Sequence, residues 1–244
     1  LSGLLVHQAC VYPATAAVLR FLVALAAQTP WATVRGAVVF PAECPVPAAR
    51  PIAIKDRQPP LPDCCTGRSV FDELVQIDPK TRGIRNVVVW LRPDSTDKKE
   101  PFPRDRVHPA LRDPPPRDHL VTLDACQFRP RVVVARGGDA IRFRNDMAGV
   151  SNVRFASGPA FEGFFNRVLV AKSDPTPAIR LAAGATPAGR FRSDLYPWMA
   201  GAVWAFDHPY AAVTDAAGRF ELKDVPAGTW RLALWHEAGG YPAG

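Results

Sequence analysis

Residues 190–201 read RFRSDLYPWMAG. A polar hinge runs into Pro197-Trp198-Met199, the outline of a loop that could wrap a metal ion. A soft transition metal such as copper is held by thiolate, imidazole and thioether donors. This loop offers one soft donor, the Met199 thioether. Where a thiolate and an imidazole would be expected stand Ser193 and Tyr196. A serine hydroxyl is hard and rarely ionised. A tyrosine ligates as phenolate, unfavourable at neutral pH because a phenol ionises near pH ~10.

Other constellations point to chemistry less well. Asp207-His208 with Ser151 or Ser193 has the residue types of a hydrolytic triad. Neither serine stands in a G-x-S-x-G elbow or another nucleophile context. Glu237 follows His236 without the H-E-x-x-H spacing of a zinc protease. Gly137-Gly138 has no phosphate-loop pattern and reads as a turn. His208 and His236 read as hydrogen-bonded core or turn histidines, and Trp198 and Met199 as packing residues. No enzyme is expected.

The elements that must position these residues are strands. The chain has 244 residues, 48% of them hydrophobic and 22% charged, enough for one large or two modest packed domains. Its 26 prolines argue against long helices. The net charge of +7 permits contact with nucleic acid or an anionic membrane. The basic residues are scattered, however, without a Lys/Arg block or a nucleic-acid motif, so no nucleic-acid partner is expected. Arg129, Arg131, Arg142, Arg144 and Arg154 form either a basic face or a solvated one.

The N-terminus reads as processed. AAVLRFLVALAAQTP places Arg20 ahead of a short apolar run and the A-x-A pattern Ala24-Leu25-Ala26. Residues 1–30 are expected to be upstream sequence and a signal-peptide-like leader, the true start lying near residue 17. An uncleaved N-terminal anchor is the alternative. The run is too short to span a bilayer, so no membrane span is expected after cleavage. Of five cysteines, Cys10 falls in the leader, leaving Cys44, Cys64, Cys65 and Cys126. They lack paired C-x-x-C zinc spacing. Four cysteines allow three connectivities, and adjacent Cys64 and Cys65 resist bonding to each other.

Segments 31–40, 86–93, 119–125, 131–145, 151–156, 167–172, 178–184, 201–215 and 218–237 read as strands, several with period-2 alternation. Ile141 and Phe143 alternate with Arg142 and Arg144. RVVVA, Gly137-Gly138 and AIRFRN read as a hairpin. Residues 218–237 read as two strands joined by Asp224-Val225-Pro226-Ala227-Gly228. A proline-rich loop is expected to about residue 62, and 94–119 as a loop or linker. Short strands at this spacing suggest a β-sandwich.

Two blocks carry a resemblance. TDAAGRFELKDVPAGTWRLALWHE (214–237) resembles the hairpin of carboxypeptidase-regulatory-like, transthyretin-like sandwiches. There Gly218 turns the chain and Phe220 and Leu222 share a face. From about residue 31 onward, TVRGAVVF, NVVVWLRP, VHPAL, CQFRPRVVV, GGDAIRFRN, SNVRF and YPWMAGAVWAFDHPYAAVTD resemble, in that order, secreted cupredoxin-like proteins of planctomycete type. Such proteins are often labelled plastocyanin-like or methylamine-utilisation-like.

The resemblance implies an all-β chain, a Greek-key cupredoxin-like β-sandwich plus a transthyretin/carboxypeptidase-regulatory-like β-unit. It divides the chain into an N-terminal β segment (31–112), a cupredoxin-like domain (113–205) and a truncated regulatory-like hairpin (206–244). The family's copper ligands, two histidines, a cysteine and a methionine, fall on Ser151, Tyr196, Ser193 and Met199. The implied site is vestigial, with Ser151 and the 193–199 loop together at one end of the sandwich. The Tyr196 ring and the serine hydroxyls are expected to fill it. Cys126 lies where the family has a cysteine separate from its ligand, and is expected to pair with Cys65, or with Cys64 if the register differs. The implied role is a periplasmic or secreted protein without a cofactor, binding an unknown envelope or secreted partner or serving structurally. The alternative is a periplasmic copper-binding electron-transfer protein with an altered site.

Overall fold

The computed structural model describes residues 4–6, 21–25, 30–52, 65, 70–97, 100–157, 163–184 and 187–240. Cys10, Cys64 and residues 53–62 at the end of the proline-rich loop lie outside them. The described residues form strands β1 (Leu4–Val6), β2 (Phe21–Leu25), β3 (Trp31–Val38), β4 (Val88–Pro93), β5 (Asp118–Asp124), β6 (Gln127–Arg129), β7 (Val132–Arg136) and β8 (Ala140–Asn145). They continue with β9 (Ser151–Ser157), β10 (Gly163–Leu169), β11 (Ile179–Arg180), β12 (Gly189–Arg192), β13 (Ala200–Phe206), β14 (Ala211–Val213), β15 (Arg219–Pro226) and β16 (Gly228–Trp235). Among the described residues there is no α-helix, only short 3-10 turns such as Pro109–Leu111. The density of prolines, which break helix hydrogen bonding, accounts for this.

The chain divides into two compact units. One gathers residues 1–48, 75–115 and 207–244; the other gathers 49–74 and 116–206. The second unit is a sandwich of two sheets, ordered β10-β9-β12-β13-β7 and β11-β8-β5-β6. Strand β12 shows why it folds this way. Gly189 and Phe191 are buried while Arg190 and Arg192 are exposed, so one face packs inward and the other meets water. Phe128 and Phe143 from one sheet meet Phe155 and Phe191 from the other. Ring centroids are 5.1 Å apart for Phe128–Phe191, 5.2 Å for Phe143–Phe191 and 6.0 Å for Phe143–Phe155. Such tilted and edge-to-face pairs are the preferred aromatic geometries. Gly189 leaves room for this packing, because a Cβ there would run into the Phe155 ring.

The expected hairpin at 131–145 does not form. β7 pairs in parallel with β13, and β8 pairs in parallel with β5, in the opposite sheet. Both runs bury one face, and two sheets closing on one core bury them as well as a hairpin would. The Gly137-Gly138 turn therefore carries the chain from one sheet to the other. The Greek-key return lies in the five-stranded sheet. β9 and β10 pair antiparallel, the chain leaves for β11 beside β8, and β12 comes back to the other side of β9.

The first unit has sheets β1-β3-β15 and β14-β4-β16-β2. Val34, Val89, Leu91, Phe102, Tyr210, Phe220, Leu222, Trp230 and Leu232 are buried in one core. The 206–244 segment is not a hairpin in the pairing sense. β15 pairs with β3, while β16 pairs with β4 and β2. The segment expected to stand apart thus shares sheets with the N-terminal β segment. Gly218 is required where the chain enters β15: its φ is 74°, and a Cβ would meet the Val38 carbonyl. The stretch read as a leader supplies β1 and β2, paired with β3 and β16.

Candidate functional site

Ser151 opens β9, and Ser193 follows the end of β12. These strands are antiparallel neighbours with Arg192 opposite Arg154, so the register alone carries Ser193 to the start of β9. The two hydroxyl oxygens are 3.3 Å apart. The 193–199 loop then closes on itself. Ser193 N–H donates to the Met199 carbonyl at 2.9 Å, and Met199 N–H to the Tyr196 carbonyl at 2.8 Å.

The Ser193 hydroxyl is saturated. It donates its single proton to Asn152 Oδ1 at 3.0 Å and accepts from Tyr196 N–H at 3.1 Å. Its remaining lone pair faces Ser151, so the Ser151 hydroxyl must be the donor of that pair. Ser151 and Met199 are 0% exposed, Ser193 1% and Tyr196 4%. The Tyr196 ring packs 5.5 Å from that of Trp198 and belongs to the unit's core. All four positions implied by the resemblance are thus brought together and closed from water.

Asn152 organises the loop, and nothing in the residue types flagged it beforehand. Its Oδ1 accepts from Ser193 Oγ, from Asp194 N–H at 2.9 Å and from Leu195 N–H at 3.2 Å. Its Nδ2 donates to Asn166 Oδ1 at 3.0 Å and Asp194 Oδ2 at 3.2 Å. The available signal was an amide within a strand, at the start of β9, which must find partners if buried. Asn145 acts likewise one turn earlier, donating to the Gly149 and Leu169 carbonyls and accepting from Met147 N–H. It fixes the turn that leads into Ser151.

A second tie reaches the loop from β5 and β6. Trp198 donates its indole N–H to the Cys126 carbonyl at 3.1 Å. Cys126 forms a disulfide with Cys65, with Cα atoms 6.0 Å apart and a sequence separation of 61. Closing a loop of that length stabilises by about 4 kcal/mol on the chain-entropy estimate. Cys64, the other candidate, lies outside the described residues.

The donor set does not fit a type 1 copper centre. Two hydroxyls stand where an imidazole and a thiolate would bind, and the Ser193 oxygen has no lone pair to spare. Among the described residues, no three of His, Cys, Asp and Glu converge as a metal-binding group. Neither histidine of the C-terminal third joins this site. His208 is buried in the first unit and accepts from Tyr210 N–H at 3.1 Å, and His236 accepts from Ala238 N–H at 3.3 Å. With its proton on Asn152, Ser193 is not activated as a nucleophile.

The arginines do not assemble into one bare basic face. Arg129 pairs with Glu73, Arg142 with Asp118 and Arg144 with Asp146. Arg154 lies 3.6 Å from Asp194, and Arg131 is buried. Asp146 is held below the usual carboxylate range, chiefly by its hydrogen bond from Arg144.

No protein-family model matches the chain, and no curated protein matches it. Solved structures do show similarity. Amicyanin from Paracoccus versutus is 19% identical over 45% of this chain and 99% of its own, with a TM-score of 0.31. A reduced amicyanin variant is 17% identical over 48% and 97%, with a TM-score of 0.31. Auracyanin B is 13% identical over 39% and 93%, with a TM-score of 0.28. These values are low, and the all-β sandwich architecture stands on the strand order described above.

Proposed function

We propose that this is an exported, cupredoxin-like sandwich protein that holds no type 1 copper and acts by binding a partner, or structurally, in the cell envelope or a secreted assembly. It is not an enzyme in this reading and carries no cofactor. The observation that carries the proposal is the closed hydroxyl network of Ser151 and Ser193, which occupies the positions the resemblance assigns to an imidazole and a thiolate. Placing the chain among planctomycete-type relatives, with a regulatory-like C-terminal unit, rests on the sequence blocks quoted above. Export rests on Arg20, the apolar run and Ala24-Leu25-Ala26, whose removal would leave β3 and β16 with open edges.

Copper titration followed by visible absorption tests this. The protein should show no intense copper–thiolate band. A Ser151→His/Ser193→Cys/Tyr196→His variant should gain one, because Met199 and the loop frame remain in place. A strong band in the unmodified protein would refute the proposal and favour electron transfer through an altered site.

A further inference from the structure

The sheet ordered β10-β9-β12-β13-β7 has a second face, turned away from Phe155 and Phe191. Two arginines there, Arg190 and Arg192, join Arg154. Register places Arg192 directly opposite Arg154 and Arg190 opposite Ala156, with Ala200 and Ala202 on the other side of β12. Asn166 of β10 stands opposite Arg154. Residues directly opposite in an antiparallel pair share a face with Cβ atoms about 5 Å apart, and like charges so placed are destabilising. Alternate residues of one strand lie about 7 Å apart on that face. Arg154, Arg190 and Arg192 therefore form a triangle, and none of their cross-strand neighbours in this register is acidic.

One carboxylate oxygen is shared by two of these arginines. Asp194 Oδ1 lies 3.6 Å from Arg154 and 3.5 Å from Arg192, longer than a good hydrogen bond. Asp194 Oδ2 accepts instead from the Asn152 and Asn166 amides. Arg142 and Arg144 differ, each having its own carboxylate, at 2.8 and 2.6 Å. Arg190 and Arg192 are exposed, and the side chains of Arg192 and Arg154 are 58% and 40% open to water. On the same face Val168 of β10, opposite Asn152, is 69% exposed.

We propose that this face docks an extended acidic segment of a partner protein, with carboxylates at alternate positions and an apolar side chain at one end. Alternate side chains of an extended chain recur about every 7 Å, the spacing of Arg190 and Arg192. A guanidinium takes a carboxylate through two parallel N–H···O bonds, and clusters of arginine recognise acidic motifs in this way. The incoming carboxylates also relieve the repulsion between Arg154 and Arg192. Val168 suits an apolar side chain, which an anionic polysaccharide lacks. The proposal names the kind of partner in the binding reading above and rests on it. It uses none of Ser151, Ser193, Tyr196 and Met199, so copper titration and a binding assay fail independently.

Fluorescence anisotropy on the full chain tests it at low salt. The probe is a labelled peptide with Glu at alternate positions, Ser between them and a terminal Leu. Its counterpart carries Gln in place of Glu, and heparin, a sulfated polysaccharide, is titrated in parallel. The Glu peptide should bind, the Gln peptide should not, and affinity should fall as added salt screens these exposed charges. Arg190→Gln/Arg192→Gln should raise Kd at least about tenfold, the scale of lost charge-assisted hydrogen bonds. Arg35→Gln/Arg104→Gln removes the same charge from two other exposed positions. It should change Kd by no more than about twofold, because isolated surface charges contribute little. Equal losses in the two variants would reduce the effect to net charge and overturn the proposal. So would failure of the Glu peptide to bind, heparin binding that needs Arg190 and Arg192 while the peptide does not bind, or unfolding of the Arg190→Gln/Arg192→Gln variant, which would make these arginines structural.

Discussion

Asn152→Ala is the sharpest probe of how the candidate site is held. The substitution removes one acceptor serving Ser193 Oγ, Asp194 N–H and Leu195 N–H, at 3.0, 2.9 and 3.2 Å. It also removes the donor to Asn166 and Asp194. At a net contribution of about 1 kcal/mol per hydrogen bond, five bonds set an upper value of roughly 5 kcal/mol. The two Nδ2 bonds lead to exposed partners that water can serve, so their loss costs little. The three at Oδ1 are different, because Ser193 is buried and its hydroxyl would lose its acceptor. The expected loss is about 2–4 kcal/mol. With a urea m-value of about 1–3 kcal/mol/M, the midpoint should fall by roughly 1–3 M. Hydrogen exchange on peptides from β9, β12 and β13 under increasing urea reads the second unit without blending it with the first. Asn166→Ala is the control: it touches the same network at an exposed position and should cost about 0.5 kcal/mol or less. Equal shifts in the two variants would show that Asn152 does not organise the loop.

Acid should weaken the second unit through Asp139. Burial alone would raise this carboxyl, but hydrogen bonds from His119, Arg136 N–H and Arg117 N–H outweigh it and hold it below 3.8. A depressed carboxyl stabilises above its unfolded value and loses that contribution as pH falls through the folded one. Unfolding midpoints should therefore drop below about pH 4, and Asp139→Asn should flatten that slope; an unchanged slope would remove Asp139 from the account. Gly189→Ala should destabilise the same unit by about 1–3 kcal/mol in a thermal melt, because its methyl meets the Phe155 ring. A neutral result would mean that Phe155 can move aside without cost.

Much of the architecture was legible because alternation is local. In β12, Phe191 turns in while Arg190 and Arg192 turn out, and the chain itself spells that pattern. Gly218 marked a turn because only a residue without Cβ clears the Val38 carbonyl at φ 74°. Strand partners were not legible. β7 and β8, like β15 and β16, are consecutive strands around a turn, which suits a hairpin. A sandwich core buries the same faces when they part, and sequence spacing carries no term that separates the two outcomes. The apolar residues 21–25 show the same ambiguity, since a short hydrophobic run serves a leader or a strand such as β2 equally well.

The site was legible in its positions and not in its bonding. The resemblance points to Ser151, Ser193, Tyr196 and Met199, and the register between β9 and β12 brings the two serines within 3.3 Å. What the residue types do not reveal is that the two hydroxyls form an ordered relay, Ser151 donating to Ser193 and Ser193 to Asn152. The direction follows from counting protons: Tyr196 N–H and Asn152 Oδ1 leave Ser193 only one role toward Ser151. An imidazole and a thiolate at these places would converge on an ion between them. Two hydroxyls instead pass their protons along a chain that ends on Asn152 Oδ1, and a buried Ser193 oxygen with all its hydrogen bonds made needs no ion to stabilise it. The closed loop can therefore keep its frame without metal, its rigidity resting on Asn152, on Trp198 and on the disulfide-bonded Cys126 turn.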